Sequence, residues 1–170
     1  MADLRVLADG RTKFTILIAK PADPSQPTAA ELNAGIDASC KVLQEGFSWT
    51  FADSDTVNEA PVCATGNAEA LGRDNLNLAL TLWRYFLAGG GVDPAADVLF
   101  AALKVKGTTF WGYTRKLDIP FDEPWAAGQE IAMGAEAIVD NLQDPGGGGW
   151  LKYVAPIKGQ QGWAFQEVAA

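Results

Sequence analysis

The sequence predicts a mainly β (α+β) fold, a β-sandwich or barrel with one flanking α-helix. Three observations carry that expectation. Residues 75–86 read N-L-N-L-A-L-T-L-W-R-Y-F, a period-two run of unusual length, and alternating stretches recur at 107–116, at 128–140, and at 151–157 answered by 162–168. Only one segment has a convincing helical pattern. The 18 Gly and nine Pro fall mainly between the periodic runs, where they act as strand punctuation.

Taken in order, residues 13–19 (K-F-T-I-L-I-A) form a short β-branched strand closed by the proline-rich stretch 20–27. A short helix start follows. Thr28 is the N-cap, Glu31 at N3 completes a capping box, Pro27 and Leu32 form a staple, and Gly35 ends the helix after barely two turns. Residues 36–43 and 47–51 read as two strands around the Glu45-Gly46 turn, with Phe47, Trp49 and Phe51 on one face. Residues 54–61 (S-D-T-V-N-E-A-P) are a polar, acidic loop or exposed ribbon. Beyond the hinge Gly89-Gly90-Gly91 comes the convincing helix, with Asp93 as N-cap, Pro94 at N1 and Asp97 in the first turns. Ala95, Leu99, Ala102 and Leu103 line its apolar face, Lys104 and Lys106 lie near its end, and Gly107 stops it.

At roughly 3.3 Å per residue, a strand over 75–86 spans about 40 Å. That is close to the full diameter of a globule of this chain length. Leu76, Leu78, Leu80, Leu82 and Phe86 form one face and Asn75, Asn77, Ala79, Thr81, Trp83 and Tyr85 the other, while Arg84 interrupts the apolar row. Strands this long leave unpaired edges that a monomer has to protect. A closed ring of subunits paired edge to edge removes them.

Thirteen Lys and Arg against 21 Asp and Glu give a net charge of -8. This is the wrong sign for gripping a phosphate backbone, where affinity comes from releasing counterions to cations. The 170 residues suffice for a single domain, residues 1–170, with a sizeable core and no internal repeat. Residues 1–7 lack the apolar segment of a signal peptide, so a reducing cytoplasm is expected. Cys40 and Cys63 are then expected as buried free thiols, with a disulfide formed after release as the alternative. No run approaches the roughly 18 apolar residues of a membrane span, and a soluble protein is expected.

The chain has no histidine, which removes the commonest general base and metal ligand. Neither glycine run, 89–91 or 146–149, has phosphate-loop spacing, and Ser39 and Ser48 lack a histidine partner or an elbow motif. Asp53, Asp55 and Glu59 lack the glycine and bidentate Glu of a Ca²⁺ loop. They read as a solvated acidic loop, with a two-carboxylate hydrolase as a distant alternative. No catalytic residue, cofactor site or metal site is assigned. Six tryptophans raise a carbohydrate-binding β-sandwich module as the main alternative, against a core or interface role for the rings.

The blocks P-T-A-A-E-L-N-A-G-I-D-A-S (27–39) and S-D-T-V-N-E-A-P-V-C (54–63), the strand ending W-R-Y-F, and P-W-A-A-G-Q-E-I (124–131) together resemble the major tail tube proteins of long-tailed bacteriophages. The likeness runs over residues 13–165 and is weakest from Gly146 onward. It implies a non-enzymatic virion protein without a cofactor, assembled in the host cytoplasm as stacked hexameric rings that form the tail tube. Its partners would be further copies of itself and other tail proteins, with no membrane. DNA would pass through without specific binding, and an electronegative lumen would give the net charge a purpose. On this reading Ser54, Asp55, Thr56, Val57, Asn58 and Glu59 are the candidate inter-ring contact. Glu130 and Glu136, which share a face of the 128–140 run by period-two spacing, are the candidate lumen-facing carboxylates.

Overall fold

The computed structural model describes residues 5–59, 62, 63, 65, 66 and 69–170. The elements in chain order are β1 (Thr12–Leu17), α1 (Ala29–Ala34), β2 (Ile36–Asp37), β3 (Ser48–Ala52), β4 (Thr56–Val57), β5 (Ala70–Leu71), β6 (Asn75–Trp83), α2 (Val98–Leu103), β7 (Thr109–Lys116), β8 (Glu130–Val139), β9 (Lys152–Ala155) and β10 (Ile157–Glu167). A five-stranded sheet, β10-β8-β7-β1-β2, packs against a three-stranded sheet, β3-β6-β9, while β4 and β5 form a separate two-stranded ribbon. All named strand pairings are antiparallel. The expected β-sandwich with flanking helix is present, and its sheets do not close into a barrel.

The sequence alternation sorts residues into two apolar layers. Phe14, Ile16, Trp49, Leu80, Leu82, Phe110, Met133 and Ala135 fill the space between the sheets, joined by Leu99 and Leu103 from α2. Phe47 and Phe51 pack against this layer as the shared face with Trp49 requires. The sheets approach closely at Gly112, where a Cβ would overlap the Trp49 ring, and the Trp49 indole N–H donates to the Gly112 carbonyl at 3.1 Å. On the opposite face of the large sheet, α1 and the segment around Trp125 cover Leu17, Trp111 and Tyr113.

The capping box of α1 forms as expected. Glu31 N–H donates to the Thr28 hydroxyl, and the Glu31 carboxylate accepts from the Thr28 N–H. Gly35 ends the helix as expected, and does so in extended backbone. Its φ is -73°, and a Cβ there would run into the side chains of Leu17 and Thr15, so the glycine admits close contact between α1 and β1.

Four expected elements differ. The strand over 75–86 stops at Trp83, because the Tyr85 N–H is taken by the Asp97 carboxylate at 3.0 Å instead of a neighbouring strand. Residues 36–43 are not one strand: the Asp37 carboxylate accepts from the Ser39 N–H and hydroxyl and turns the chain after β2. Val42 then bridges Leu82, so this segment and β3 lie in succession along one edge of β6 and do not pair as a hairpin. Residues 151–157 and 162–168 also do not pair with each other. The chain changes sheets at Pro156, β9 joining β6 and β10 joining β8. Finally, Asp93 caps a turn by accepting from the Ala95 and Ala96 N–H groups, and α2 begins only at Val98, leaving Ala95 exposed.

One buried cation organises the outer layer. Arg115, fully buried, donates to the carbonyls of Pro120, Glu123 and Pro124 and to the Gln129 side chain at 2.8–3.0 Å, tying residues 120–129 onto β7. Burial pulls its pKa down from the usual arginine value.

Candidate functional site

A sheet edge, a ribbon and a cleft are surfaces that could serve assembly. The edge is β10, eleven residues long and last in the large sheet, so among the described residues one side of its backbone has no strand partner. Phe165 lies on it, 74% exposed and in the left-handed region at φ +53°, a costly conformation for a bulky side chain.

The ribbon holds the acidic segment that the sequence marks as an assembly contact. Thr56 pairs with Leu71 and Val57 with Ala70. At its base Asp55 N–H donates to the Arg73 carbonyl, the Ser54 hydroxyl contacts the Asp74 carboxylate, and the Asn75 amide donates to the Asp53 carbonyl and the Asp55 carboxylate. Ser54 is half-buried, whereas Asp55, Thr56, Val57, Asn58 and Glu59 are exposed; Ala60 and Pro61, which close the acidic sequence block, lie outside the described residues. Asp53, Asp55, Glu59, Glu69 and Asp74 stand against the single cation Arg73 in this stretch, so the segment carries half of the net charge of -8. Leu71 and Val57 are exposed beside these carboxylates.

Period-two spacing puts Glu130 and Glu136 on the side of β8 away from Met133, Ala135 and Ala137 in the inter-sheet layer, although Ile131, of the opposite phase, packs into the outer layer with Trp111. Glu130 is exposed and Glu136 half-buried, about 20 Å apart at the rise of a strand. Glu130 stands directly opposite Glu167 of β10, a like-charge pair, and Glu136 opposite Gln161 and Trp111. Lys158 stands opposite Ile138.

The cleft is a surface that sequence reasoning missed. It has a volume of about 580 Å³ and is lined by Cys40, Trp83, Arg84, Phe86, Trp150 and Leu151. Trp150 is 81% exposed, and Leu151, Phe86, Leu87 and Val92 extend the apolar surface. The Lys152 ammonium lies 5.9 Å from the Trp83 ring centre and the Lys41 ammonium 5.2 Å from that of Tyr85, so two cations frame the aromatics. Its sequence signals are the W-R-Y-F ending and Trp150 after four glycines, but alternation marks the first as strand and the glycines mark the second as turn.

The thiols are free as expected but not buried. Cys40 and Cys63 are both free, and both are exposed. Of the tryptophans, Trp49, Trp111 and Trp125 are buried, Trp83 and Trp163 half-buried, and Trp150 exposed. Among the described residues no three His, Cys, Asp or Glu side chains converge as a metal site. No described helix is long and apolar enough to cross a membrane.

No curated protein matches this sequence. A family model described as phage tail tube protein matches residues 1–170, a structural family located in the virion tail whose members assemble with themselves and with other tail proteins. With that match over the whole sequence, on a β-sandwich with an open edge, the chain belongs to the phage tail tube protein family.

Proposed function

We propose that this chain polymerises as stacked hexameric rings that form the conduit for DNA ejection. The observation that carries the reading is β10, an eleven-residue strand at the edge of the large sheet with no strand on its outer side among the described residues. An edge of that length invites a strand from a neighbouring subunit, and a closed ring satisfies every copy at once. The protein assembles in the host cytoplasm, has no catalytic role, and lets DNA pass without specific binding. Electron microscopy of the purified protein tests this: six-fold rings support it, and a species that stays monomeric at all concentrations opposes it.

Within that assembly Ser54, Asp55, Thr56, Val57, Asn58 and Glu59 make the inter-ring contact. A lone two-stranded ribbon is marginal in water, and this one exposes apolar side chains. Deleting the ribbon leaves the sandwich folded and blocks stacking; a deletion variant that still forms long tubes rules the assignment out.

Glu130 and Glu136 face the lumen, where the opposed Glu130 and Glu167 contribute negative potential. Like charge keeps the passing DNA from adhering. Replacing both residues by lysine preserves rings but makes tubes retain DNA at low salt, an attraction that added salt screens. Equal DNA retention by variant and wild type rejects this placement.

The alternative, a carbohydrate-binding module, has three of its six tryptophans withdrawn into the apolar layers. Retention of a stable monomer on a polysaccharide gel would favour it.

A further inference from the structure

We propose that the acidic ribbon β4–β5 of one copy docks into the Trp83–Trp150 cleft of another, so that ribbon and cleft are the two halves of one self-interface. This rests on the tube reading and assigns the ribbon its receptor.

Charge identifies the occupant. The ribbon segment holds Asp53, Asp55, Glu59, Glu69 and Asp74 against Arg73 alone. In a protein this acidic, a surface that attracts it has to concentrate cations. The cleft does so: Lys41 and Lys152 flank its aromatic rings, and neither has a carboxylate within ion-pair distance among the described residues. Arg84, the third cation there, is already paired with Asp97 and serves the wall of the cleft.

Apolar surface matches as well. Val57 and Leu71 are exposed on the ribbon, and Trp150, Leu151 and Phe86 are exposed around the cleft. A desolvated aromatic centre with charges at its rim is the arrangement in which a few residues carry most of the binding energy while rim charges steer association. Ribbon and cleft are different patches of one subunit, so the contact is head-to-tail and propagates from copy to copy.

A charge exchange tests the pairing. One variant carries Lys41→Glu and Lys152→Glu; the other carries Asp53→Lys, Glu59→Lys and Glu69→Lys, which leave Asp55 and Asp74 against four cations and so make the segment basic, at positions whose carboxylates have no hydrogen bond among the described residues. Thermal melts confirm that each is folded. Alone, each variant loses tube formation, with the critical concentration raised on the order of tenfold or more. Mixed in equal amounts they recover it, because each acidic surface meets a basic one. Trp150→Ser, at a side chain too exposed to support the fold, weakens assembly independently of charge.

If wild type forms tubes and both charge variants do so equally well, ribbon and cleft do not meet. If each fails alone and the mixture also fails, their pairing is refuted although tube formation stands. A wild type that never polymerises removes the tube reading, and this proposal with it.

Discussion

Arg84 Nε lies 3.0 and 3.2 Å from the two carboxylate oxygens of Asp97, and the guanidinium stacks 3.7 Å from the centre of the Phe100 ring. Asp97 is 2% exposed and also accepts the Tyr85 N–H, so one carboxylate both neutralises a cation and ends β6. Asp97→Ala should destabilise the protein by about 3 kcal/mol or more, since it strands a largely buried guanidinium. Asp97→Asn should cost less, because the amide oxygen still accepts from Tyr85. Urea melts check both, and an Asp97→Ala variant as stable as wild type would contradict the assignment.

The capping box makes a second prediction. Thr28→Ala should cost about 1 kcal/mol. Glu31 is held below the usual glutamate pKa first by the Ala22 N–H and then by the N–H and hydroxyl of Thr28. A depressed folded-state value means that its contribution is present above the unfolded value of roughly 4.3 and is lost as pH falls through the folded one. Glu31→Gln should therefore lower stability at neutral pH and flatten its decline on acidification below about pH 4. An unchanged acid profile would show that these hydrogen bonds contribute nothing.

Between the sheets, Gly112→Ala places a methyl group into the Trp49 ring. The overpacking should cost about 1–3 kcal/mol, read as a lower denaturation midpoint with an unchanged slope.

Both thiols should react with a thiol reagent in the native protein, since Cys40 and Cys63 are exposed and unbridged. Two equivalents titrated without denaturant is the expected result. Reaction only after unfolding would return them to the interior.

Legibility in the sequence follows the range of the interactions. The alternation over 75–83 and 130–139 and the capping box at Thr28 depend on residues close together in the chain, so residue order alone displays them. What the sequence hides are long-range competitions: Asp97 capturing the Tyr85 N–H, and Pro156 sending β9 and β10 into different sheets. The acidic ribbon is visible as composition. The cleft is not, because it gathers Cys40, Trp83 and Trp150 from three separate parts of the chain.

Negative-stain electron microscopy of the purified, concentrated protein tests the central claim most directly. Six-fold rings stacked into hollow tubes are the predicted result. A protein that remains a dispersed monomer at every concentration, with its β10 edge unpaired, would contradict it.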